Sequence, residues 1–212
     1  TEIYTLSLHD ALPIYTGGGI LSTAHKLNHI FRIIFIKEAI MDINVLAEKV
    51  KDAALLRGDF ILSSGRRSNY YLDKYRIETQ PSILGAVAEG LAEKVPAGAE
   101  LLAGPELGAI PLVTAVGLRT GIPFLLVRKK AKDYGTKKVV EGLWKEGQKA
   151  VLIEDVLTTG TQAIAAADSL REIGLEVMKI VCVIDREEGA REAVEGAGYV
   201  FDPLLTKSML GI

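Results

Sequence analysis

An acidic pair followed by a hydroxyl-rich turn is the part of this sequence best suited to chemistry. The run from Val151 to Thr161 begins as an apolar stretch, continues with Glu154 and Asp155, and ends in a turn of small residues that includes threonines. In an open parallel sheet, ligands bind beyond the carboxyl ends of the strands, and the free amides of a helix N-terminus attract an anion. Carboxylates would repel a bare phosphate, so the pattern favours a ligand with both a phosphate and a diol, such as a phosphorylated ribose. A capped turn with solvated acids is the alternative.

A second candidate is the basic run from Arg128 to Lys138, which holds six basic residues in eleven positions. Such a run can be a solvated surface loop or a nucleic-acid patch. It lies between two predicted core strands, and Gly135 is available as a hinge. These features favour a lid that closes over an anion.

Composition narrows the classes of protein that this chain can be. It has 212 residues, a formal net charge of −2, and 49% hydrophobic residues, so it lacks the basic footprint of general nucleic-acid binding. The single cysteine, Cys182, excludes an intrachain disulfide and predicts a reducing, cytoplasmic location. No apolar stretch approaches the roughly 18 residues of a membrane span. All three histidines lie in the first forty residues, so a domain that starts near Met41 uses no imidazole base and no histidine metal ligand.

Hydrophobic periodicity predicts strands that alternate with helices, and hence an α/β fold with a parallel sheet covered on both faces. The predicted helices run from Ile43 to near Gly58, from Pro81 to Val95, from the loop at Gly104-Pro105 to about Leu118, from Gln162 to Ile173 and from Ala190 to Val194. The predicted strands are Phe60 to Leu62, Tyr70 to Leu72, Leu101 to Ala103, Pro123 to Val127, Ala150 to Ile153, Val177 to Ile184 and Tyr199 to Phe201.

Residues 1–40 differ in pattern from residues 41–212. The string from Ser7 to Ile14 resembles a translated sequencing adapter, and Gly17 to Gly19 would interrupt any regular element. We interpret residues 1–40 as a non-native or disordered leader of adapter and upstream sequence, and residues 41–212 as one working domain. A genuine flexible extension and a short targeting peptide are the alternatives.

Four segments, in order, resemble the type I phosphoribosyltransferases, and their orotate phosphoribosyltransferase branch in particular. They are residues 60–73, like the orotate-side segment, residues 104–112, like the pyrophosphate loop, residues 128–136, like the mobile catalytic loop, and residues 154–161, like the phosphoribosyl-pyrophosphate signature. The resemblance implies a central, mostly parallel sheet flanked by helices, with a small N-terminal hood and a mobile basic loop. It also implies transfer of a phosphoribosyl group from phosphoribosyl pyrophosphate to orotate in UMP biosynthesis, with Mg²⁺ as cofactor. A homodimer that shares the loop between subunits is implied as well, with no nucleic-acid or membrane partner.

The same resemblance implies a role for individual residues. Lys132, Asp155 and Glu154 would be catalytic, the two acids holding the ribose hydroxyls directly or through Mg²⁺, with Asp155 as the one candidate metal ligand. Arg186 would pair with the orotate carboxylate, near Thr158. The residues implied to bind phosphoribosyl pyrophosphate are Arg128, Lys129, Lys132, Glu154, Asp155, Val156, Leu157, Thr158, Thr159, Gly160, Thr161 and Gln162.

Some positions depart from the family's pattern. Many bacterial members have lysine where this chain has Ser63 and Gly108, and histidine where it has Tyr134. These differences leave open which groups beyond the loop neutralise pyrophosphate.

Two other functions are possible from the sequence: a purine or other nucleobase phosphoribosyltransferase, and a non-enzymatic regulator that binds phosphoribosyl pyrophosphate. Arg186 and the orotate-side segment argue against the first. The near balance of 22 basic and 24 acidic residues in 41–212 argues against the second.

Overall fold

A computed structural model describes residues 42–61, 65, 67–129 and 139–212. The predictions for residues 1–40, for Ser63 and for residues 130–138, which include Lys132, Tyr134 and Gly135, lie outside the described residues.

Strands and helices alternate along the described chain, as the periodicity predicts. The helices are α1 (Ile43–Ala54), α2 (Tyr75–Glu78), α3 (Pro81–Lys94), α4 (Ala109–Thr120), α5 (Thr161–Glu172) and α6 (Ala190–Gly196), with a 3₁₀ turn at Ser208–Leu210. The strands are β1 (Leu55–Ile61), β2 (Arg67–Leu72), β3 (Leu101–Pro105), β4 (Phe124–Val127), β5 (Val140–Glu141), β6 (Lys149–Leu157), β7 (Glu176–Asp185) and β8 (Phe201–Thr206).

The central sheet has six strands in the order β5-β4-β3-β6-β7-β8. Strands β4, β3, β6, β7 and β8 are parallel, and β5 pairs antiparallel with β4 at one edge. The predicted mostly parallel sheet is therefore confirmed. Strands β1 and β2 form a separate antiparallel hairpin, in the segment for which a small N-terminal hood is predicted.

The core lies on both faces of this sheet. Alternate residues of a strand point to opposite faces, so Val151 and Ile153 pack with α1, α3 and α4, whereas Leu152 packs with α5 and α6. All three side chains are fully buried. Cys182 belongs to the second of these clusters and is buried. Burial on both faces explains why the central strands are almost continuously apolar in sequence.

Several boundaries differ from those that the sequence predicts. Strand β1 begins at Leu55, not at Phe60, and β2 begins at Arg67, not at Tyr70. Helix α1 ends at Ala54, not near Gly58, because Leu55 already pairs with β2. Strand β8 begins at Phe201 and continues to Thr206 alongside β7, instead of covering 199–201. Strand β6 continues to Leu157 through its pairing with β7. The acidic pair therefore lies within the strand, whereas the sequence prediction placed it after the strand.

Within the described ranges, none of the helices is long and apolar enough to span a bilayer.

Candidate active site

A cavity of about 320 Å³ opens at the carboxyl end of β6. Parallel strands end at the same edge of a sheet, so the loops after β3, β4 and β6 meet there. The lining residues are Lys74, Glu106, Lys129, Glu154, Asp155, Val156, Leu157, Thr158, Thr159, Gly160, Thr161, Gln162 and Ala163. The structure thus brings the whole predicted signature, residues 154–161, together with Lys129 and Gln162 around one space.

The turn between β6 and α5 is shaped to receive an anion. Gly160 has φ +77°, and a Cβ at this position would lie 3.0 Å from Val194 and 3.3 Å from a backbone oxygen. Only glycine takes this conformation without strain. The hydroxyls of Thr159 and Thr161 lie 3.1 Å apart, and among the described residues no side chain caps the start of α5. The first turn of α5 lines the cavity, so its amides and the positive end of the helix dipole are available to a phosphate.

The acidic pair lies on the floor of the cavity, with Glu154 8% and Asp155 6% exposed. Burial, and then the charge of Asp155, raise the pKa of Glu154 to about 8. Glu154 is therefore protonated near neutral pH, whereas Asp155 is in an ion pair. The Asp155 carboxylate accepts a hydrogen bond from the backbone N–H of Val156 at 2.5 Å. A neutral carboxyl group beside a charged carboxylate offers both a donor and acceptors, which suits the two hydroxyls of a ribose.

The ion-pair partner of Asp155 is Lys74, a residue that the sequence analysis missed. Its Nζ lies 2.5 Å from Oδ2 of Asp155. Burial lowers the pKa of Lys74, but the hydrogen bond and charge of Asp155 outweigh burial and raise it above its ordinary value. The one available signal was position, since Lys74 directly follows the orotate-side segment 60–73.

The backbone of the turn before α4 lies close to the end of the Asp155 side chain and to Lys74. A Cβ on Gly108 would lie 1.8 Å from Oδ2 of Asp155 and 2.9 Å from Nζ of Lys74. The ends of the Lys74 and Asp155 side chains thus fill the space beside Gly108, the position at which many bacterial members of the family have lysine.

The start of the basic run is tied to the loop after β3. The backbone N–H of Lys129 donates to Oε1 of Glu106 at 2.9 Å. Arg128 lines a neighbouring cavity of about 390 Å³, which shares Glu106, Lys129 and Gln162 with the first. Nε of Arg128 is buried and has no hydrogen-bond partner in the described part of the chain. Of the three predicted basic contacts, Lys129 lines the first cavity, Arg128 lines only the neighbouring one, and Lys132 lies outside the described residues.

Arg186 lies beside Tyr70, at the end of β7. Its Nη2 donates to Oη of Tyr70 at 3.5 Å and also lies 2.9 Å from a carboxylate oxygen of Glu188. Nε of Arg186 is buried without a hydrogen-bond partner among the described residues. The backbone N–H of Arg186 donates to the carbonyl of Leu157, so Arg186 is held next to the turn that contains Thr158.

The adjacent tyrosines of β2 differ in their surroundings. Tyr70 is half-buried and packs on the core near Arg186, whereas Tyr71 is 43% exposed and contacts the ring of Phe60 at 5.7 Å. Alternation in sequence could not distinguish them. The structure identifies Tyr70 as the tyrosine on the Arg186 side.

The fold and the site together define a phosphoribosyltransferase. The family model described as a phosphoribosyl transferase domain matches residues 76–203.

Comparison with known proteins identifies the branch. The chain is 46% identical over 166 residues to the orotate phosphoribosyltransferase of Methanocella arvoryzae, covering 78% of this chain and 95% of that relative. It resembles the crystal structure of Mycobacterium tuberculosis H37Rv orotate phosphoribosyltransferase in complex with Fe(III) dicitrate, with a TM-score of 0.73, 32% identity, and coverage of 80% and 99% of the two chains. The complex of that enzyme with 5-phospho-alpha-D-ribosyl 1-diphosphate gives a TM-score of 0.69, 31% identity, and coverage of 80% and 99%. The chain belongs to the orotate phosphoribosyltransferase family.

Proposed function

We propose that this protein transfers the 5-phosphoribosyl group from phosphoribosyl pyrophosphate to orotate, releasing pyrophosphate and forming orotidine 5′-phosphate. The observation that carries the proposal is the single cavity that joins a phosphate cradle at the start of α5 to the acidic pair at the end of β6. The buried Nε of Arg186, which has no hydrogen-bond partner among the residues that the structure describes, offers a donor to a carboxylate beside this site. A purine base lacks such a carboxylate. An arginine fork is well matched to the planar orotate carboxylate.

In the proposed complex, residues 158–162 wrap the 5′-phosphate, and Glu154 and Asp155 bind the ribose hydroxyls. The C1–O bond to pyrophosphate breaks and a C1–N bond to orotate forms, with positive charge developing on the sugar. The negative charge of Asp155 favours that sugar, and the basic groups favour the leaving pyrophosphate. The reaction then needs positioning and electrostatics but no protein nucleophile, which agrees with the absence of histidine from residues 41–212.

Magnesium fits the donor set of the cavity. Carboxylate oxygens such as those of Asp155 are the hard ligands that Mg²⁺ prefers, and Mg²⁺ usually binds through substrate phosphates plus one or two carboxylates. Among the described residues, no cluster of three or more His, Cys, Asp or Glu side chains could hold a metal ion. We propose that Mg²⁺ is bound mainly through the substrate, with Asp155 as its protein ligand. Bound there, it would neutralise phosphate charge.

The remaining proposals concern the loop, the assembly and the N-terminal segment. Arg128, Lys129 and Lys132 contact pyrophosphate, with Lys132 reaching the neighbouring subunit's site in a homodimer. Residues 1–40 take no part in the reaction, and residues 41–212 form the working domain. We also propose a cytoplasmic location, consistent with a single, buried cysteine.

The test is consumption of orotate in the presence of phosphoribosyl pyrophosphate and Mg²⁺, run beside a panel of adenine, hypoxanthine, guanine and uracil. We expect turnover with orotate and a large loss of rate when the metal is chelated. Turnover of a purine base in preference to orotate would overturn the assignment. Binding of phosphoribosyl pyrophosphate without turnover of any base would favour a regulator.

A further inference from the structure

Lys74 is a basic residue of the cavity that the proposed reaction leaves without a role. It lies in the short turn between β2 and α2, and its side chain is 33% exposed. Its partner Asp155 is 81 residues away in sequence and belongs to the central strand. The ion pair thus joins the N-terminal hairpin region to the floor of the active site.

The surroundings of Lys74 are strongly acidic. Asp155 and Glu154 lie on one side, and Glu78, one turn of α2 further on, is only 4% exposed. Neither carboxyl oxygen of Glu78 has a hydrogen-bond partner in the described part of the chain. Lys74 is held there by its ion pair with Asp155, and its long, flexible side chain can change partners with little rearrangement.

The turn before α4 supplies no cation at this point. Its residue Gly108 lies beside the Lys74–Asp155 pair, where a Cβ would be 2.9 Å from Nζ of Lys74, and has no side chain of its own. Lys129 and Glu106 also line the cavity, together with the phosphate cradle of residues 158–162. If the 5′-phosphate lies in the cradle and the ribose over the acidic pair, Lys74 and Lys129 are the basic lining residues left to meet the pyrophosphate.

We infer that Lys74 is a further residue of the phosphoribosyl-pyrophosphate site, which pairs with Asp155 when the site is empty and transfers to the pyrophosphate oxygens when substrate binds. The inference rests on the proposed function. The transfer frees Oδ2 of Asp155 for a ribose hydroxyl at the moment when the substrate brings in the negative charge that Lys74 then neutralises. Lys74 would thus supply, from the turn after β2, positive charge at the point where Gly108 has none.

The experiment compares the binding of two probes by calorimetry at a fixed Mg²⁺ concentration. Inorganic pyrophosphate occupies the proposed Lys74 side, and ribose 5-phosphate occupies the cradle and the acidic pair. Lys74→Met should weaken pyrophosphate binding about 10- to 100-fold, the range expected for loss of one charge-assisted contact. Ribose 5-phosphate binding should change less than about threefold, and Lys74→Arg should recover most of the pyrophosphate affinity. In turnover, the KM for phosphoribosyl pyrophosphate should rise far more than the KM for orotate.

Lys94→Met is the matched control. Lys94 makes a similarly half-buried ion pair, 2.6 Å from Asp202, away from the cavity, so its loss should leave both affinities unchanged. If Lys74→Met does not fold, the same two affinities are measured for Lys74→Gln, which keeps a hydrogen-bond donor for Asp155. The same loss of pyrophosphate affinity is expected. Unchanged pyrophosphate affinity, or an equal loss for both probes, would make Lys74 a purely structural partner of Asp155. Either of these two results, obtained with an active wild type, would overturn the role of Lys74 and leave the proposed function standing. A wild-type protein that binds no pyrophosphate would overturn both the role of Lys74 and the proposed function.

Discussion

Glu78 is a buried carboxyl group whose replacement by glutamine should stabilise the protein at high pH more than at low pH. Burial, and then the charge of Asp155, raise the pKa of Glu78 from 4.5 to about 7, although Lys74 opposes the change. The folded state therefore keeps a proton that the unfolded state loses between those two values. Stability of the wild type should fall as the pH rises through this window and level off above it.

The size of the effect follows from the two pKa values. Each tenfold change in proton affinity is worth about 1.4 kcal/mol, so complete ionisation of Glu78 costs the folded state about 3 kcal/mol. Glu78→Gln keeps the shape and cannot ionise. Its free energy of unfolding relative to the wild type should therefore increase by about 2.5 kcal/mol between pH 5 and pH 8.

Urea unfolding of the wild type and of Glu78→Gln at pH 5, 6, 7 and 8 measures this difference in the free energy of unfolding. The contributions of the other titrating groups are the same in the two proteins and cancel in the difference. Glu172→Gln is the control, because Glu172 is exposed on α5 and its replacement should give a difference that does not vary with pH. A Glu78→Gln difference that stays within about 0.5 kcal/mol over the whole range, the size of ordinary surface effects, would refute the reasoning. Glu78 would then be ionised in the folded protein and compensated by Lys74.

Four further predictions concern the reaction and the chain. Asp155→Asn should lower kcat roughly 10²-fold or more, as for loss of one preorganised electrostatic group. The control Asp52→Asn, at an exposed position of α1, should leave kcat unchanged. Wild-type turnover in Asp155→Asn would remove Asp155 from the mechanism. Arg186→Ala should weaken the binding of orotate by about 2–5 kcal/mol. It should therefore raise the KM for orotate far more than the KM for phosphoribosyl pyrophosphate. Equal effects on the two KM values would make Arg186 structural. The Lys132→Ala and Asp155→Asn variants should each be nearly inactive. Subunit exchange between the two variants should restore about half of the wild-type activity per heterodimer, since one of its two sites then has both groups intact. No recovery after verified exchange would mean that the loop containing Lys132 acts in its own chain's site. Removal of residues 1–40 should leave the melting temperature and activity unchanged, and a loss of several degrees would mean that this segment packs on the domain.

Local patterns in the sequence identified the strand–turn–helix unit that carries the phosphate cradle. The apolar run of β6, the left-handed Gly160 and the start of α5 are consecutive in the chain, so their arrangement follows from backbone preferences and periodicity. The alternation of strands and helices predicted the parallel sheet for the same reason. The exact ends of α1, β6 and β8 were not predictable, because pairing with a neighbouring strand decides where each one stops.

Contacts between distant segments were decided only by the tertiary structure. The turn after β2 and the end of β6 meet because the hairpin packs beside the carboxyl end of the sheet, and no local pattern records that Lys74 reaches Asp155. The same packing brings Gly108 close to the Lys74–Asp155 pair and places Tyr70, but not Tyr71, beside Arg186. The residue types of the site are thus legible in the sequence, whereas their electrostatic partners depend on which strands become neighbours, and this is set by burial of the whole core.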